Sequence, residues 1–270
     1  MVKNNFNNVI YCIGDSHVSF FSGYNKVLGV WLTSHQERVP VFKSFNIGPR
    51  LAFNISKKNS LGYETVFKIL ESIPEGSYVM LCFGEIDCRV HLFKQAVIQK
   101  KNLKKVVNEC VDRYFSLIKE LKKMGYQVLV WHVIPSTVFE MKYIEFPTFG
   151  NCKQRNDVTK LFNKRLTFWA KKEKIPVISL FDKLVYTNGL TNMKYFIDPI
   201  HLSSLALPLV IEQIEKKVPR FNKRLLKQTF KLNKLEFIFR YYIRKPLYFN
   251  FIRFKIKTGF PYPKREKWEY

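Results

Sequence analysis

The chain has 270 residues, of which 47% are apolar and 16% aromatic, so it can bury a substantial core and is not disordered throughout. Its formal charge of +25 is uneven, because residues 216–270 hold 17 Lys or Arg against 3 Asp or Glu, a net +14. This asymmetry indicates an acidic partner surface, either a membrane or nucleic acid, and says little about fold. The five cysteines have no metal-ligand spacing, so we expect buried thiols and neither a metal nor another cofactor.

The sequence contains no apolar run that approaches the roughly 20 residues needed to span a bilayer. The first eight residues, Met-Val-Lys-Asn-Asn-Phe-Asn-Asn, lack the apolar region of a secretory signal. We therefore expect the protein to work in the cytoplasm, which is a reducing compartment.

Strand and helix patterns alternate through the first 218 residues. Short apolar runs predict strands at residues 9–13, 78–83, 127–134 and 175–181, and alternating apolar and polar residues predict one more at residues 41–47. Longer segments between them carry apolar residues at helical spacing, as in residues 61–71, 107–121, 158–169 and 205–214. This order predicts an α/β domain over residues 1–218, with a mostly parallel sheet and helices on both of its faces.

The first predicted strand runs into Gly-Asp-Ser-His at Gly14–His17, which puts Ser16 at the carboxyl end of the strand, where parallel α/β folds place their chemistry. A serine hydroxyl needs a base that is itself oriented by a third group. His201 is the most suggestive of the five histidines, because Asp198 lies three residues earlier and can fold back onto the imidazole. We expect His17 to be part of the turn.

Four short segments, in this order and spacing, resemble those of the SGNH or GDSL hydrolases. They are Gly14–His17, Gly48 after the second strand, Gly84–Asp87 after the third, and Asp198–His201. The resemblance covers residues 9 to about 215. It implies a three-layer α/β/α sandwich with flavodoxin-like topology.

The resemblance also implies roles for individual residues. Ser16 would attack a carbonyl, His201 would accept its proton, and Asp198 would orient His201. In the family the resulting oxyanion is held by the nucleophile's own backbone N–H, by a glycine N–H, here that of Gly48, and by an asparagine side chain. This chain has Ile86 in the asparagine's place, and isoleucine donates no hydrogen bond.

Two polar residues are candidates for the replacement donor, Asn46 and Arg89, and the sequence does not choose between them. If strand alternation continues past the third strand, Glu85, Asp87 and Arg89 share one face. Such a trio could hold a sugar or a phosphate-linked substrate. The alternative is an ion-pair network that closes the strand end.

Residues 219–270 differ in character from the domain before them. Apolar and aromatic side chains recur there at helical spacing among basic residues, which is typical of a helix lying in an anionic membrane interface. The alternative is an extra helical layer packed on the domain. No recognised motif accompanies the charge, which argues against nucleic acid. We expect peripheral attachment of a cytoplasmic protein to the inner face of the membrane.

These observations predict a serine esterase that removes an acyl group, most simply acetyl, from a carbohydrate or glycolipid. A carbohydrate is favoured over a lipid because no long apolar lid segment is evident. A role in making a surface polysaccharide would suit the basic extension. The alternatives are a glycan acyltransferase and a non-catalytic carbohydrate-binding or accessory module, and Ile86 favours the latter.

Overall fold

A computed structural model describes residues 9–24, 29–30, 39–140 and 147–218, together with Leu247 and Asn250. Apart from those last two residues, the predicted extension at 219–270 lies outside the described part of the chain, so its predicted membrane helix stays a prediction. The description that follows therefore concerns the domain predicted at 1–218.

Five short strands form the sheet of this domain, and their bounds are β1 Ile10–Gly14, β2 Phe42–Asn46, β3 Tyr78–Cys82, β4 Gln127–Trp131 and β5 Val177–Ile178. Neighbouring strands are all parallel, in the order β2-β1-β3-β4-β5. This is the flavodoxin-like order, which reverses direction between β1 and β3. The predicted α/β class is therefore confirmed.

Helices cover both faces of the sheet. They are α1 Ala52–Ile55, α2 Leu61–Leu70, α3 Leu92–Ile98, α4 Leu103–Lys123, α5 Cys152–Lys172 and α6 Leu207–Lys217, with 3₁₀ helices at Ser16–Ser22, Phe181–Lys183, Met193–Tyr195 and Ser204–Ala206. Alternate residues of β1 belong to two separate cores: Tyr11 and Ile13 pack with α2, α4 and α5, whereas Ile10 and Cys12 pack with the first 3₁₀ helix and α6. Burial on both faces explains why the strands read as continuous apolar runs.

The last strand is shorter than its apolar run predicts. Only Val177 and Ile178 are strand, whereas the sequence predicts strand to residue 181. The N–H of Ser179 donates to Gln213 Oε1 of α6 at 2.9 Å, and the Gln213 amide donates back to the Ser179 carbonyl. The ladder ends here because a side chain of α6 takes the backbone groups that a longer strand would pair.

All five cysteines are buried and none forms a disulfide, and Cys12 and Cys82 lie in the strands where the sequence places them. Within residues 9–218, excluding the gaps given above, no helix combines the length and apolarity needed to cross a membrane. The same described residues hold no group of His, Cys, Asp and Glu side chains arranged for a metal ion.

Candidate active site

Ser16 stands at the carboxyl edge of the sheet because the chain turns sharply after β1. A Cβ at Gly14 would lie 2.3 Å from the Cys82 carbonyl oxygen, so only glycine lets β1 approach β3 this closely. Asp15 then caps the 3₁₀ helix, with its Oδ1 accepting the N–H of His17 at 2.9 Å. Ser16 is thus the first residue of that helix, and it is half-buried.

The second component of the site comes from a loop 185 residues later in the chain. Ser16 Oγ lies 2.8 Å from His201 Nε2. On the other side of the ring, His201 Nδ1 lies 2.7 Å from Asp198 Oδ2. An Nδ1–H donating to the carboxylate leaves Nε2 as the acceptor that faces the serine, which is the tautomer a general base requires. The structure thus brings together the three residues that the sequence predicts as a triad.

Backbone hydrogen bonds keep Asp198 in place. Its Oδ1 accepts the N–H groups of Ile200 and His201, both at 2.7 Å. The loop is closed by Ile197 N–H donating to the His201 carbonyl at 2.9 Å. Burial raises the pKa of Asp198, but the His201 ring and these hydrogen bonds outweigh it, so the net pKa lies below its usual value. Asp198 therefore stays ionised and can hold the imidazole.

The predicted oxyanion donors are less well placed. Gly48 N–H, one predicted donor, donates to Asn46 Oδ1 at 3.0 Å. Asn46 itself is buried, and its side-chain oxygen is occupied by this contact. Ile86, half-buried, brings no hydrogen-bonding group to the third position. The role of Gly48 as an oxyanion donor stays a prediction, and it requires Gly48 N–H to exchange Asn46 for substrate.

The prediction that Glu85, Asp87 and Arg89 share one face of a continuing strand is wrong. The strand ends at Cys82, Gly84 takes a φ of +111°, and the chain is helical from Glu85 onward. At helical spacing Arg89 lies above Glu85, and its Nε donates to Glu85 Oε1 at 2.7 Å. Glu85 and Arg89 therefore form an ion pair at the end of the strand, which is the alternative to a substrate-binding trio.

Arg89 is committed to structure. Besides Glu85 it binds the Pro147 carbonyl through Nη1 at 2.5 Å, and its own carbonyl accepts the N–H of Phe149 at 3.1 Å. With 4% of its surface exposed, the residue joins this turn to the segment that precedes α5. These contacts argue against Arg89 as the replacement donor.

Asp87 faces away from the triad and caps α1. Its Oδ2 accepts the N–H of Ala52 at 2.7 Å, and its Oδ1 accepts that of Phe53 at 3.2 Å. Cys110 Sγ lies 3.7 Å from the same Oδ1. Burial raises the pKa of Asp87 to about 6, although the two backbone donors oppose the shift. The substrate-binding role predicted for Asp87 is not supported by these contacts, which fix α1 against the turn after β3.

His17 is the residue whose surroundings the sequence analysis missed. Its side chain is only 10% exposed, and its Nε2 lies 3.2 Å from Glu85 Oε2. Its ring centroid is 4.9 Å from that of His201. The sequence carried one signal, a second histidine directly after the serine, but the partner Glu85 is 68 positions away and only the fold brings it near.

Solved structures with a similar architecture include a provisionally assigned acylhydrolase from Bacteroides fragilis, at 14% identity and TM-score 0.52, covering 84% of this chain and 90% of that chain. A provisionally assigned platelet activating factor from Streptococcus pneumoniae has 15% identity, TM-score 0.50 and coverages of 77% and 82%. A GDSL-like lipase from Bacteroides thetaiotaomicron has 14% identity, TM-score 0.48 and coverages of 83% and 89%. No protein-family model and no curated protein matches the sequence.

At such low identity, these likenesses establish the fold alone. The first two extend over at least three quarters of the chain, so they concern the whole α/β domain. Together with the strand order, they establish a parallel-sheet fold of the SGNH or GDSL type.

Proposed function

We propose that the protein is a serine esterase in which Ser16 is the nucleophile, His201 the general base and Asp198 the residue that orients His201. The observation that carries the proposal is the continuous relay from Ser16 Oγ to His201 at 2.8 Å and from His201 to Asp198 at 2.7 Å. Both distances lie within the range required of a nucleophile, its base and the orienting group.

In the proposed reaction Ser16 Oγ attacks the ester carbonyl carbon while its proton passes to His201 Nε2. The carbonyl π electrons move to oxygen and form the oxyanion. On collapse, the bond to the alcohol oxygen breaks, and His201 returns the proton to that oxygen, leaving an acyl group on Ser16. Water then attacks the acyl carbon with the same proton path, which releases the acid and restores Ser16.

The finer part of the proposal concerns the substrate, an acyl group, most simply acetyl, on a carbohydrate or glycolipid. It rests on the sequence, in which no long apolar lid segment is evident and a basic, aromatic extension follows the domain. A small acyl group needs little apolar surface around the nucleophile, whereas a fatty acyl chain needs a long apolar channel.

Active-site labelling tests the proposal. The full-length protein is incubated with a fluorophosphonate probe, and the modified residue is mapped by mass spectrometry alongside p-nitrophenyl acetate hydrolysis. We expect labelling at Ser16 and its loss in Ser16→Ala. The matched control is Ser116→Ala, which removes an exposed hydroxyl of α4 that bonds only its own helix backbone at Arg113. Release of acetate from acetylated sugars, compared with release of fatty acid from lipid esters, tests the substrate class.

Two other outcomes would replace the esterase proposal. Labelling at Ser16 with negligible hydrolysis would favour a glycan acyltransferase, in which a sugar hydroxyl takes the place of water. A folded protein that neither labels nor hydrolyses would favour a non-catalytic carbohydrate-binding module, the alternative that Ile86 suggests.

We also propose that residues 219–270 attach the protein to an anionic membrane surface, since this segment carries 15 Lys or Arg against 3 Asp or Glu. Flotation of the full-length chain with anionic vesicles and with neutral vesicles tests this proposal. Equal recovery with both, at low salt, would contradict an electrostatic attachment.

A further inference from the structure

His17 links two segments that are predicted to supply oxyanion donors, the turn at Ser16 and the turn after β3. It directly follows Ser16, whose backbone N–H is the first predicted donor. Its Nε2 reaches Glu85, the neighbour of Ile86, where the family's asparagine would stand. One buried imidazole thus connects the nucleophile turn to the position that lacks a donor.

One nitrogen of this imidazole has no protein partner. Nε2 faces Glu85, while Nδ1 is buried and makes no hydrogen bond to any residue that the structure describes. A buried nitrogen without a partner costs free energy, so its retention beside a nucleophile is a reason to look for a ligand. The ring also lies against His201, at 4.9 Å between centroids, which places it at the reacting end of the relay.

The charged groups around His17 favour its protonated form. Burial lowers the pKa of His17, and the positive charge of Arg89 lowers it slightly more. The negative charge of Asp15 and the contact with Glu85 raise the pKa by more than this, so the net pKa of His17 is raised. Burial would raise the pKa of Glu85, yet Arg89 and His17 lower it to about 2. Glu85 is therefore ionised, and an imidazolium at His17 carries a proton on both ring nitrogens.

We propose that His17, held by Glu85, replaces the missing asparagine as the side-chain donor to the oxyanion, through Nδ1–H. The proposal rests on the esterase function proposed above. When Ser16 attacks, the carbonyl π electrons move to oxygen, and the new negative charge accepts a hydrogen bond from Nδ1–H. The proton stays on His17 throughout, and when the intermediate collapses the oxygen's electron pair re-forms the C=O double bond while the alcohol oxygen leaves with the proton from His201. A donor aimed at charge that exists only in the transition state accelerates the reaction without tightening substrate binding.

Steady-state kinetics with p-nitrophenyl acetate test the proposal in the full-length protein. His17→Gln should lower kcat by about 10²-fold, the typical loss for one oxyanion donor, and leave KM within about threefold. The rate of fluorophosphonate labelling should fall in parallel. The matched control is His132→Gln, which alters another half-buried histidine, bonded to Thr167 at 2.9 Å, and should keep the wild-type rate.

The pH profile separates a charged donor from a structural residue. Glu85→Gln removes the anion facing His17, so His17 should lose its proton at lower pH, and the alkaline fall of kcat should move to lower pH. Glu85→Gln also tests the role of His17 if the His17→Gln variant does not fold. An unchanged alkaline limb in Glu85→Gln would overturn the proposal.

A rescue experiment completes the test. Ile86→Asn in the His17→Gln background reintroduces a side-chain donor, so kcat of the double variant should be at least about tenfold higher than kcat of His17→Gln. If the wild type is active and His17→Gln keeps full activity, the proposed role of His17 is overturned and the esterase function stands. Failure of the wild type to label at Ser16 would instead overturn the esterase function, and the role of His17 with it.

Discussion

The two sides of the candidate site differ in how completely the protein assembles them. The nucleophile side, Ser16, His201 and Asp198, is joined by short side-chain hydrogen bonds at 2.8 and 2.7 Å. The oxyanion side, Gly48, Asn46 and Ile86, holds one donor already paired within the protein and one side chain that cannot donate. The side chains of the proposed relay are therefore already in place. The oxyanion side is where this chain differs from the SGNH or GDSL hydrolases that its sequence resembles.

The largest expected effect comes from removing the nucleophile. Ser16→Ala should lower kcat for p-nitrophenyl acetate by more than about 10⁴-fold, because it removes the group proposed to form the acyl intermediate. Stopped-flow or steady-state hydrolysis measures it, with Ser116→Ala as the control. Retention of more than a tenth of the wild-type kcat would mean that the nucleophile side is not the reactive one.

The next largest effect tests the orienting residue. Asp198→Asn keeps the size of the side chain but can donate to His201 Nδ1, which favours the wrong tautomer. We expect kcat to fall about 10³- to 10⁴-fold with little change in KM. Measuring kcat and KM separately distinguishes this loss from a loss of substrate affinity, and a change confined to KM would contradict the assigned role.

A smaller effect, with the opposite sign, is expected on the oxyanion side. Ile86→Asn in the otherwise wild-type chain adds the family's donor at a half-buried position, but His17 is proposed to serve as that donor already, so kcat should rise by less than about threefold. Ile86→Leu, equal in size and equally unable to donate, is the matched control. A rise of about tenfold confined to Ile86→Asn would show that the wild type lacks this third donor.

The last effect is on stability instead of rate and involves Asp87, in the same turn as Ile86. Its pKa is raised to about 6 in the folded protein, against 3.8 in the unfolded chain, so the folded state binds more protons between these values. The contribution of Asp87 to the free energy of unfolding should therefore decrease as pH rises from about 3 to about 7, by about 3 kcal/mol in total. Asp87→Asn should lack this decrease.

Urea unfolding from pH 4 to 8 measures the decrease as a difference between wild type and variant, which removes the opposite contribution of Asp198. Asp157→Asn, an exposed carboxyl of α5, is the control and should keep the wild-type slope. Identical slopes in wild type and Asp87→Asn would show that Asp87 is not the titrating group.

Much of the fold could be predicted because its signals are local. The apolar runs of β1, β3 and β4 report burial on both faces, and helical spacing in α4 reports burial on one. The candidate triad was predictable for a related reason. Asp198 and His201 are three residues apart, so one short loop can align them, and Ser16 ends a recognisable strand.

The turn after β3 shows where local signals fail. A continuing strand and a helical turn both suit residues 83–89 by composition, and the helical turn forms because Asp87 caps α1, 35 residues earlier in the chain. Similarly, β5 stops where Gln213 of α6 meets Ser179. In the first case backbone N–H groups of α1 hold the Asp87 side chain, and in the second the Gln213 side chain takes the backbone groups that a longer β5 would have paired.

By itself, therefore, the sequence determined the layered α/β architecture and the order of the candidate catalytic segments, since periodicity and turn chemistry act over a few residues. The tertiary structure decided which polar groups face one another. Ser16 meets His201, Ala52 N–H donates to Asp87, and His17 meets Glu85, and each of these pairs is far apart in the chain. Such pairings follow from the packing of strands and loops against one another, because long-range contacts satisfy the buried polar groups that local structure leaves open.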